Sequence, residues 1–536
     1  MLSPVIADQK IPLPPPKLCP DCREQRRCAQ GNQINLYERK CDLTGAPVIS
    51  HFHPESPFKV YRQEDWFSDR WDPLQYGRDF DFSQPFFPQW YALSLEVPRP
   101  SLQTAFHSDE NAAYTNYAGR NKNCYLIFDS DENRDCYYSY SIQHSENCME
   151  CYRVKNCELC YECIDSVACY SCAYLQDCDN CSDSVFLRNC IGCKHCLMCS
   201  NLRNKEYYIE NKPVSKKEFE TIRAMLTSSS RLMTARGHFE KLRLQYPQKY
   251  MHGVLNENVS GDYLTHCKNA YRSYDCNDLW DCRYCFQAFM GLKNCMDTQE
   301  CGEAEKVYES AFVGYNGHTI LFSSHTLGDA SNILYSLCCP HSSHLFGCAG
   351  VMHRKYCIFN KQYSKEEYET LVLKIITHMQ NTGEWGEYFP IQFSSFAYNE
   401  TLAQDHYPLT REEVLKNGWK WFDVPDQRSQ YMGPEVTLPD DIADADDAIT
   451  SKILLCEVTR KPYKIIPQEL KLYHQLRLPL PRKSFFRRHK ERMKLRNPRR
   501  LWSRVCAKCS KEIETTYAPE RPEIVYCDEC YLASVY

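Results

Sequence analysis

Cys148-Met-Glu-Cys151-Tyr-Arg-Val154-Lys-Asn-Cys157-Glu-Leu-Cys160-Tyr-Glu-Cys163 decides the fold. Each numbered residue lies three places from the next, and the phase holds well beyond this stretch. Cys124 to Cys199 contains fifteen cysteines, and the number of every one leaves remainder 1 on division by three. Independent placement would give this with odds of roughly one in five million, by counting matches to a template. A period of three is neither that of an α-helix nor that of a flat strand.

Written in rows of twelve, the stretch begins its rows at Cys124, Cys136, Cys148, Cys160, Cys172, Ser184 and Cys196. One column runs Ile127, Ser139, Cys151, Cys163, Leu175, Leu187, Cys199, and another runs Asn133, Ser145, Cys157, Cys169, Cys181, Cys193. These residues are small or apolar, while those between them are mostly polar or aromatic. The expected architecture is a mainly β chain with two tight parallel β-helix stacks of about 12 residues per coil. Every third side chain then points into a bore too thin for Leu or Phe throughout, and Cys fills it as a small hydrophobe. The spacing, and only the spacing, resembles that of the narrow β-helices of insect antifreeze proteins. Column neighbours such as Cys157, Cys169, Cys181 and Cys193 would lie about 4.8 Å apart, close enough for disulfides. Redox context decides between thiol and disulfide. No leader of the secretory kind opens the sequence and no run approaches the roughly 18 apolar residues of a membrane span. The expectation is a cytoplasmic protein with reduced thiols and no membrane contact.

The rest of the chain is ample for several domains: 536 residues, 34 of them cysteine, with 38 tyrosines and a net charge of −5. Residues 1–100 read as a degenerate copy of a C-terminal module followed by a proline- and aromatic-rich layer (Trp66, Trp71, Phe80, Phe86, Trp90) that caps the open N-terminal end of the stack. Residues 101–214 are the first cysteine-rich stack, 215–252 a helical connector and 253–363 the second stack. A constant offset of 149 relates Tyr207, Asn211, Lys212, Ser215 and Glu218 to Tyr356, Asn360, Lys361, Ser364 and Glu367, so one unit of stack, strand and capped helix occurs twice. The second stack slips phase, and 302–335 is the expected place for a bulged loop. Residues 364–430 are helical and aromatic, 431–450 an acidic linker, 451–490 a second degenerate module, and 491–536 a basic arm with an intact module.

That module holds Cys506-Ala-Lys-Cys509 and Cys527-Asp-Glu-Cys530, two CxxC pairs at zinc-ribbon spacing. Four thiolates close a tetrahedron and leave no position for water, so Zn2+ is expected in a structural role. A shift of 465 lays Asn32 on Asn497, Arg39 on Arg504, Cys41 on Cys506, Pro57 on Pro522 and Tyr61 on Tyr526. Thr44, Arg62 and Asp65 then stand where the module keeps Cys509, Cys527 and Cys530, and Arg62 is expected to pair with Asp65 across the former site. Cys456, Thr459, Ser484 and Arg487 read as another gutted copy. Cys19 and Cys22 are the weaker metal candidates, with Cys28, His51 or His53 as possible recruits.

Arg482 to Arg504 carries eleven bases against Glu491, a net of +10, interleaved with Phe485, Phe486 and Trp502. Arg487, Arg488, Lys490, Arg492, Lys494, Arg496, Arg499 and Arg500 read as a phosphate-binding patch, with RNA preferred to DNA. The bland alternative is that the linker acids Glu435, Asp440, Asp441, Asp444, Asp446 and Asp447 fold back on the arm. No GxxxxGK[ST], GxGxxG, HExxH or GxSxG motif occurs. Cys338-Cys-Pro-His-Ser-Ser-His344 is the one compact Cys/His cluster, and positions at coil corners explain it without catalysis.

Several segments together resemble a family of uncharacterised, cysteine-rich, multi-zinc-ribbon proteins of small-genome candidate-phylum (Patescibacteria-like) bacteria. They are Cys19-Pro-Asp-Cys22-Arg, Trp71-Asp-Pro-Leu-Gln-Tyr-Gly-Arg-Asp-Phe-Asp-Phe82, Asn360-Lys-Gln-Tyr-Ser-Lys-Glu-Glu-Tyr368, Tyr463-Lys-Ile-Ile-Pro-Gln-Glu-Leu470 and the terminal CxxC pairs. The resemblance implies architecture and no activity. In that family CxxC pairs usually stand where this chain has Thr44, Arg62 and Asp65, and where it has Thr459, Ser484 and Arg487. The sequence thus points to a non-enzymatic zinc-binding scaffold that contacts nucleic acid or a ribonucleoprotein, with no small-molecule cofactor. The alternatives are a protein–protein scaffold using aromatic faces, or a store of thiols and metal.

Overall fold

The computed structural model describes residues 5–6, 9–10, 12–423 and 433–536. The chain is mainly β, and its strands form two long parallel ladders. In the first ladder, residue i pairs with i+12 almost without exception: Asn116 with Phe128, Lys122 with Arg134, Tyr152 with Ile164, Cys160 with Cys172, Lys194 with Glu206.

The backbone explains the period of three. In each triplet, one residue points inward, one enters the ladder, and the third turns the chain through the left-handed region, as at Asp129, Asn147, Glu150, Asn156, Asp165 and Asp177. Asn and Asp tolerate that region better than other non-glycine residues, and they crowd the position. The inward residues are buried, Cys136, Cys148, Cys160, Cys190, Cys193 and Cys196 completely so, and Cys124, Cys157, Cys169, Cys172 and Cys181 nearly so.

The buried column does more than fill space. Several of its buried backbone N–H groups donate to the side chain twelve residues earlier. Cys151 N donates to Ser139 Oγ at 3.0 Å, Cys196 N to Ser184 Oγ at 3.0 Å, and Cys169 N to Cys157 Sγ at 3.4 Å. The thiols in turn donate to carbonyls nine residues on, Cys148 Sγ to Cys157 O and Cys160 Sγ to Cys169 O, both at 3.4 Å. Cys and Ser fit the column, and where they accept from a buried N–H they satisfy a donor that Ala or Val would leave unpaired. The cysteines stand as free thiols.

The second ladder keeps its registry by adding single residues. Lys268 pairs with Trp280, twelve on, but Leu279 pairs with Leu292, Ala304 with Gly317 and His318 with Ser331, each thirteen on. The bulged loop expected at 302–335 is therefore corrected. Ala304–Ala311, Gly317–Leu321 and Ser331–Leu334 all lie in the ladder, because one extra residue per row restores phase at less cost than an excursion. Gly261 marks the first irregularity, with φ +139° and Ser273 O 1.7 Å from where a Cβ would stand, so only glycine fits there.

The duplication at offset 149 is exact in its hydrogen bonds. Asn211 accepts from Ser200 N at 2.9 Å and donates to Ser200 O at 2.8 Å, and Asn360 does the same to Ala349 at the same distances. Helices Lys216–Met225 and Lys365–Asn381 follow, capped by Ser215 and Ser364. The aromatic layer is a second correction. It lies against the flank of the second ladder: Phe86 contacts Tyr335, Phe346 and Phe359 with ring centroids 5.2, 5.7 and 5.4 Å apart. The outward rings of that ladder, Phe322, Tyr335, Phe346 and Phe359, form an apolar surface that the layer buries.

Candidate metal centre

The C-terminal module is a hairpin, Trp502–Val505 with Glu512–Thr515, followed by the helix Asp528–Val535. Cys506 and Cys509 sit where the hairpin turns, and Cys527 is the helix N-cap. The sulfurs of Cys506, Cys509, Cys527 and Cys530 lie within 4.8 Å of one another, and Cys509 and Cys527 are 3.7 Å apart. A tetrahedral thiolate site of zinc dimensions places its sulfurs about 3.8 Å apart, so the four fit such an ion. Burial opposes ionisation of Cys506, but backbone N–H groups of Cys527, Cys509 and Lys508 hold its thiol down to about 6. Among the described residues this is the one group of three or more His, Cys, Asp and Glu side chains converging on a common point.

Two further copies keep the module's backbone and lose its ligands. Cys506 N donates to Lys511 O and Ser510 N to Cys506 O; Cys41 with Ala46 and Gly45, and Cys456 with Lys461 and Arg460, repeat both bonds. Ser510, Gly45 and Arg460 all have positive φ. Arg39 reaches His53 O as Arg504 reaches Ala518 O. What fills the N-terminal copy is charge. Arg62 pairs with Asp65 at 3.4 Å, as expected from sequence, Arg70 adds a second pair at 2.7 Å, and Cys41 donates to Asp65 at 3.8 Å. Burial opposes ionisation of Cys41, yet the Thr44 hydroxyl and Arg62 N–H hold its thiol below the ordinary range. Cys456 repeats the pattern, held down to about 7 against burial by the Thr459 hydroxyl and the N–H groups of Ser484, Thr459 and Val458. The amide nest around the module's first sulfur survives where the other thiols are gone.

The basic arm is where the structure departs most from the sequence reading. Arg488 and Arg492 are 7% and 2% exposed and both pair with Glu150, which is wholly buried. Arg488 Nε lies 2.8 Å from Glu150 Oε1 and its Nη2 3.7 Å from Glu469. Arg496 pairs with Asp165 at 2.8 Å and Asp275 at 2.6 Å; Arg499 pairs with Asp275 and Glu24, both at 3.4 Å. Asp275 is held well below the usual carboxylate range, against burial, by Arg153, Arg496 and Arg499. Four of the eight bases assigned to phosphate, Arg488, Arg492, Arg496 and Arg499, are thus taken up by internal carboxylates. The arm threads between the ladders as charged mortar. Arg487 pairs with Glu491 at 2.8 Å, and Lys490, Lys494 and Arg500 remain at the surface. Two of the linker acids bond outside the arm. Glu435 pairs with Arg460 at 2.7 Å, and Asp440 bonds Ser228 and Ser230; linker residues 431 and 432 lie outside the described residues.

The same clamp occurs at the other end of the chain. Helix Pro20–Cys28 sets Arg23 and Arg27 on Asp297 at 2.9 and 3.4 Å, and the shift of 465 carries these arginines onto Arg488 and Arg492. The N-terminal helix thereby grips the second ladder and the C-terminal helix, Phe485–Met493, grips the first. The gripping acids Glu150, Asp165, Asp275 and Asp297 all occupy left-handed positions immediately before an inward residue. That column of acids was the signal available in the sequence.

The remaining candidates are dispersed. Cys19 and Cys22 are exposed at the start of helix Pro20–Cys28. Cys28 is buried and donates to Gln299 at 3.0 Å, His51 is buried against Asn32 O, and His53 stacks on Phe422, so none of them joins the pair. Cys338 is buried and accepts from Gln103 at 3.8 Å, while His341 stacks on His353 and His344 lies against Tyr356.

No protein-family model matches this chain, and no curated protein matches it. Among solved structures, a "putative acetyltransferase from Desulfovibrio desulfuricans G20" aligns at 10% identity over 44% of this chain and 65% of that one, just under two thirds of its length. Its TM-score is 0.10, too low to carry any argument about fold or function. Among the described residues, no helix is long and apolar enough to cross a membrane.

Proposed function

We propose that this chain is a non-enzymatic scaffold made of two tight β-helices, locked together by buried arginine clamps and by a C-terminal zinc ribbon at Cys506, Cys509, Cys527 and Cys530. The observation that carries the reading is the inward turn of Arg488, Arg492, Arg496 and Arg499. Guanidinium groups already held by internal carboxylates are not free to meet phosphate. The outward face of the second stack then offers the contact surface, with Tyr271 and Trp280 exposed. Beside it runs a groove of about 1000 Å³, lined by Pro14, Pro15, Val259, Tyr271 and Arg283. Rigid aromatic anchors of this kind suit a protein partner.

Pull-down from native lysate separates the readings. A scaffold captures the same proteins with and without nuclease and loses them in the Tyr271→Ala, Trp280→Ala double variant. A nucleic-acid reading is favoured by the exposed trio Lys490, Lys494 and Arg500 with Phe486, which is 46% exposed. It predicts nuclease-sensitive capture and salt-dependent RNA binding that falls when the trio becomes Gln. Storage of metal in the bore predicts several zinc ions per chain; the scaffold predicts few.

A further inference from the structure

We infer that Cys19 and Cys22 form a preformed half-site for zinc that is completed by the same pair from a second copy of this chain. The inference rests on the zinc reading of the C-terminal ribbon, because that ribbon supplies the geometric precedent. There, Cys527 caps the helix Asp528–Val535 with φ −62° and ψ 167°, and Cys530 follows in the first turn. Cys19 caps the helix Pro20–Cys28 with φ −64° and ψ 161°, and Cys22 follows in the first turn. Both caps are followed by acids, Asp21 in one and Asp528 and Glu529 in the other. The chain therefore presents one two-thiol knuckle twice. One copy has its complement in Cys506 and Cys509; the other has no third ligand near it among the described residues.

The exposed copy is organised for an ion. Cys22 N donates to Cys19 Sγ at 3.4 Å, and the two thiols hydrogen-bond each other. Leu18, 39% exposed, gives the knuckle an apolar rim. Two thiols leave two positions of a zinc tetrahedron open. A tetrahedron of two identical chelating pairs has two-fold symmetry, which is the symmetry of the commonest homodimer. On binding, the four thiols lose their protons to solvent and the site carries a formal charge of −2.

The test is zinc alone, added to full-length reduced protein. The expected result is about 1.5 zinc ions per chain together with a dimer by sedimentation. Cys19→Ser, Cys22→Ser protein should fall to about one zinc per chain and be monomeric, while Cys506→Ser, Cys509→Ser protein should lose its own ion and still dimerise with zinc. Three results would overturn the inference: a monomer with one zinc, a monomer with two, or a Cys19–Cys22 disulfide in place of bound zinc by intact mass. Unsubstituted protein that dimerises with only about 0.5 zinc per chain would instead count against the ribbon reading, so the two failures are distinguishable.

Discussion

The four-cysteine module at 502–536 and its copy at 37–65 share a backbone and differ in what fills it. One brings four thiols together; the other holds Cys41, Thr44, Arg62 and Asp65, with Arg70 closing the cluster. The difference teaches when a small module can do without a metal. An isolated ribbon has little core and folds around its ion. The N-terminal copy is fastened to larger bodies: its strand Val60–Tyr61 pairs with Arg99–Pro100, and Trp66 donates to Pro98 O at 2.9 Å. Once flanking structure fixes the backbone, an ion pair and a few hydrogen bonds suffice at the centre. The C-terminal copy is also docked, through Val525–Tyr526 on Gln248–Lys249 and Thr515 on Tyr250 O, but it sits at the edge with Cys509 exposed.

The sharpest break of this comparison is metal removal. A strong chelator should release residues 500–536 to protease while 37–65 stays protected, since a structural zinc supplies on the order of 10 kcal/mol. Equal protection of both segments would show that docking alone holds the terminal ribbon. The reverse experiment restores ligands. Thr44→Cys, Arg62→Cys, Asp65→Cys should add one zinc per chain by elemental analysis, because Cys41 already sits in its amide nest.

A smaller effect is expected from Asp65→Ala, which leaves Cys41 and the partly exposed Arg62 and Arg70 without their common acceptor. A loss of about 2–3 kcal/mol by chemical denaturation fits removal of one buried partner whose counter-charges can still reach water. Glu469 sharpens the comparison for the other gutted copy. Burial pushes its carboxyl up to about 7, Glu150 adds to the rise and Arg488 opposes it. A folded-state value above the unfolded one stabilises at low pH, and that contribution is lost as pH rises toward 7. Glu469→Gln should therefore raise stability at pH 8 relative to the parent, on the order of 1 kcal/mol, and change little at pH 4. A gain that is the same at both pH values would mean that folding leaves the ionisation of this carboxyl unshifted.

Much of this was readable in advance, for reasons that differ by region. The thiol column from Cys124 to Cys199 reports its own burial, because a residue repeated at fixed phase can only face one side. The offsets of 149 and 465 are equally plain, and hydrogen bonds such as Asn211 with Ser200 and Arg504 with Ala518 reproduce them atom for atom. The arm read wrongly because charge along a sequence carries no sign of its partner. Glu150 lies 338 residues from Arg488, and composition treats both as surface residues by default.

The sequence alone determined the row length of the first ladder, the inward thiols, the four-cysteine cluster and the ancestry of its gutted copies, since each depends on spacing within one segment. Only the tertiary structure decided that thirteen-residue rows keep the second ladder in register, that the aromatic layer covers a flank, and that the arm's arginines turn inward. These depend on which distant surfaces meet, and a desolvated charge goes where its counter-charge is already held in place.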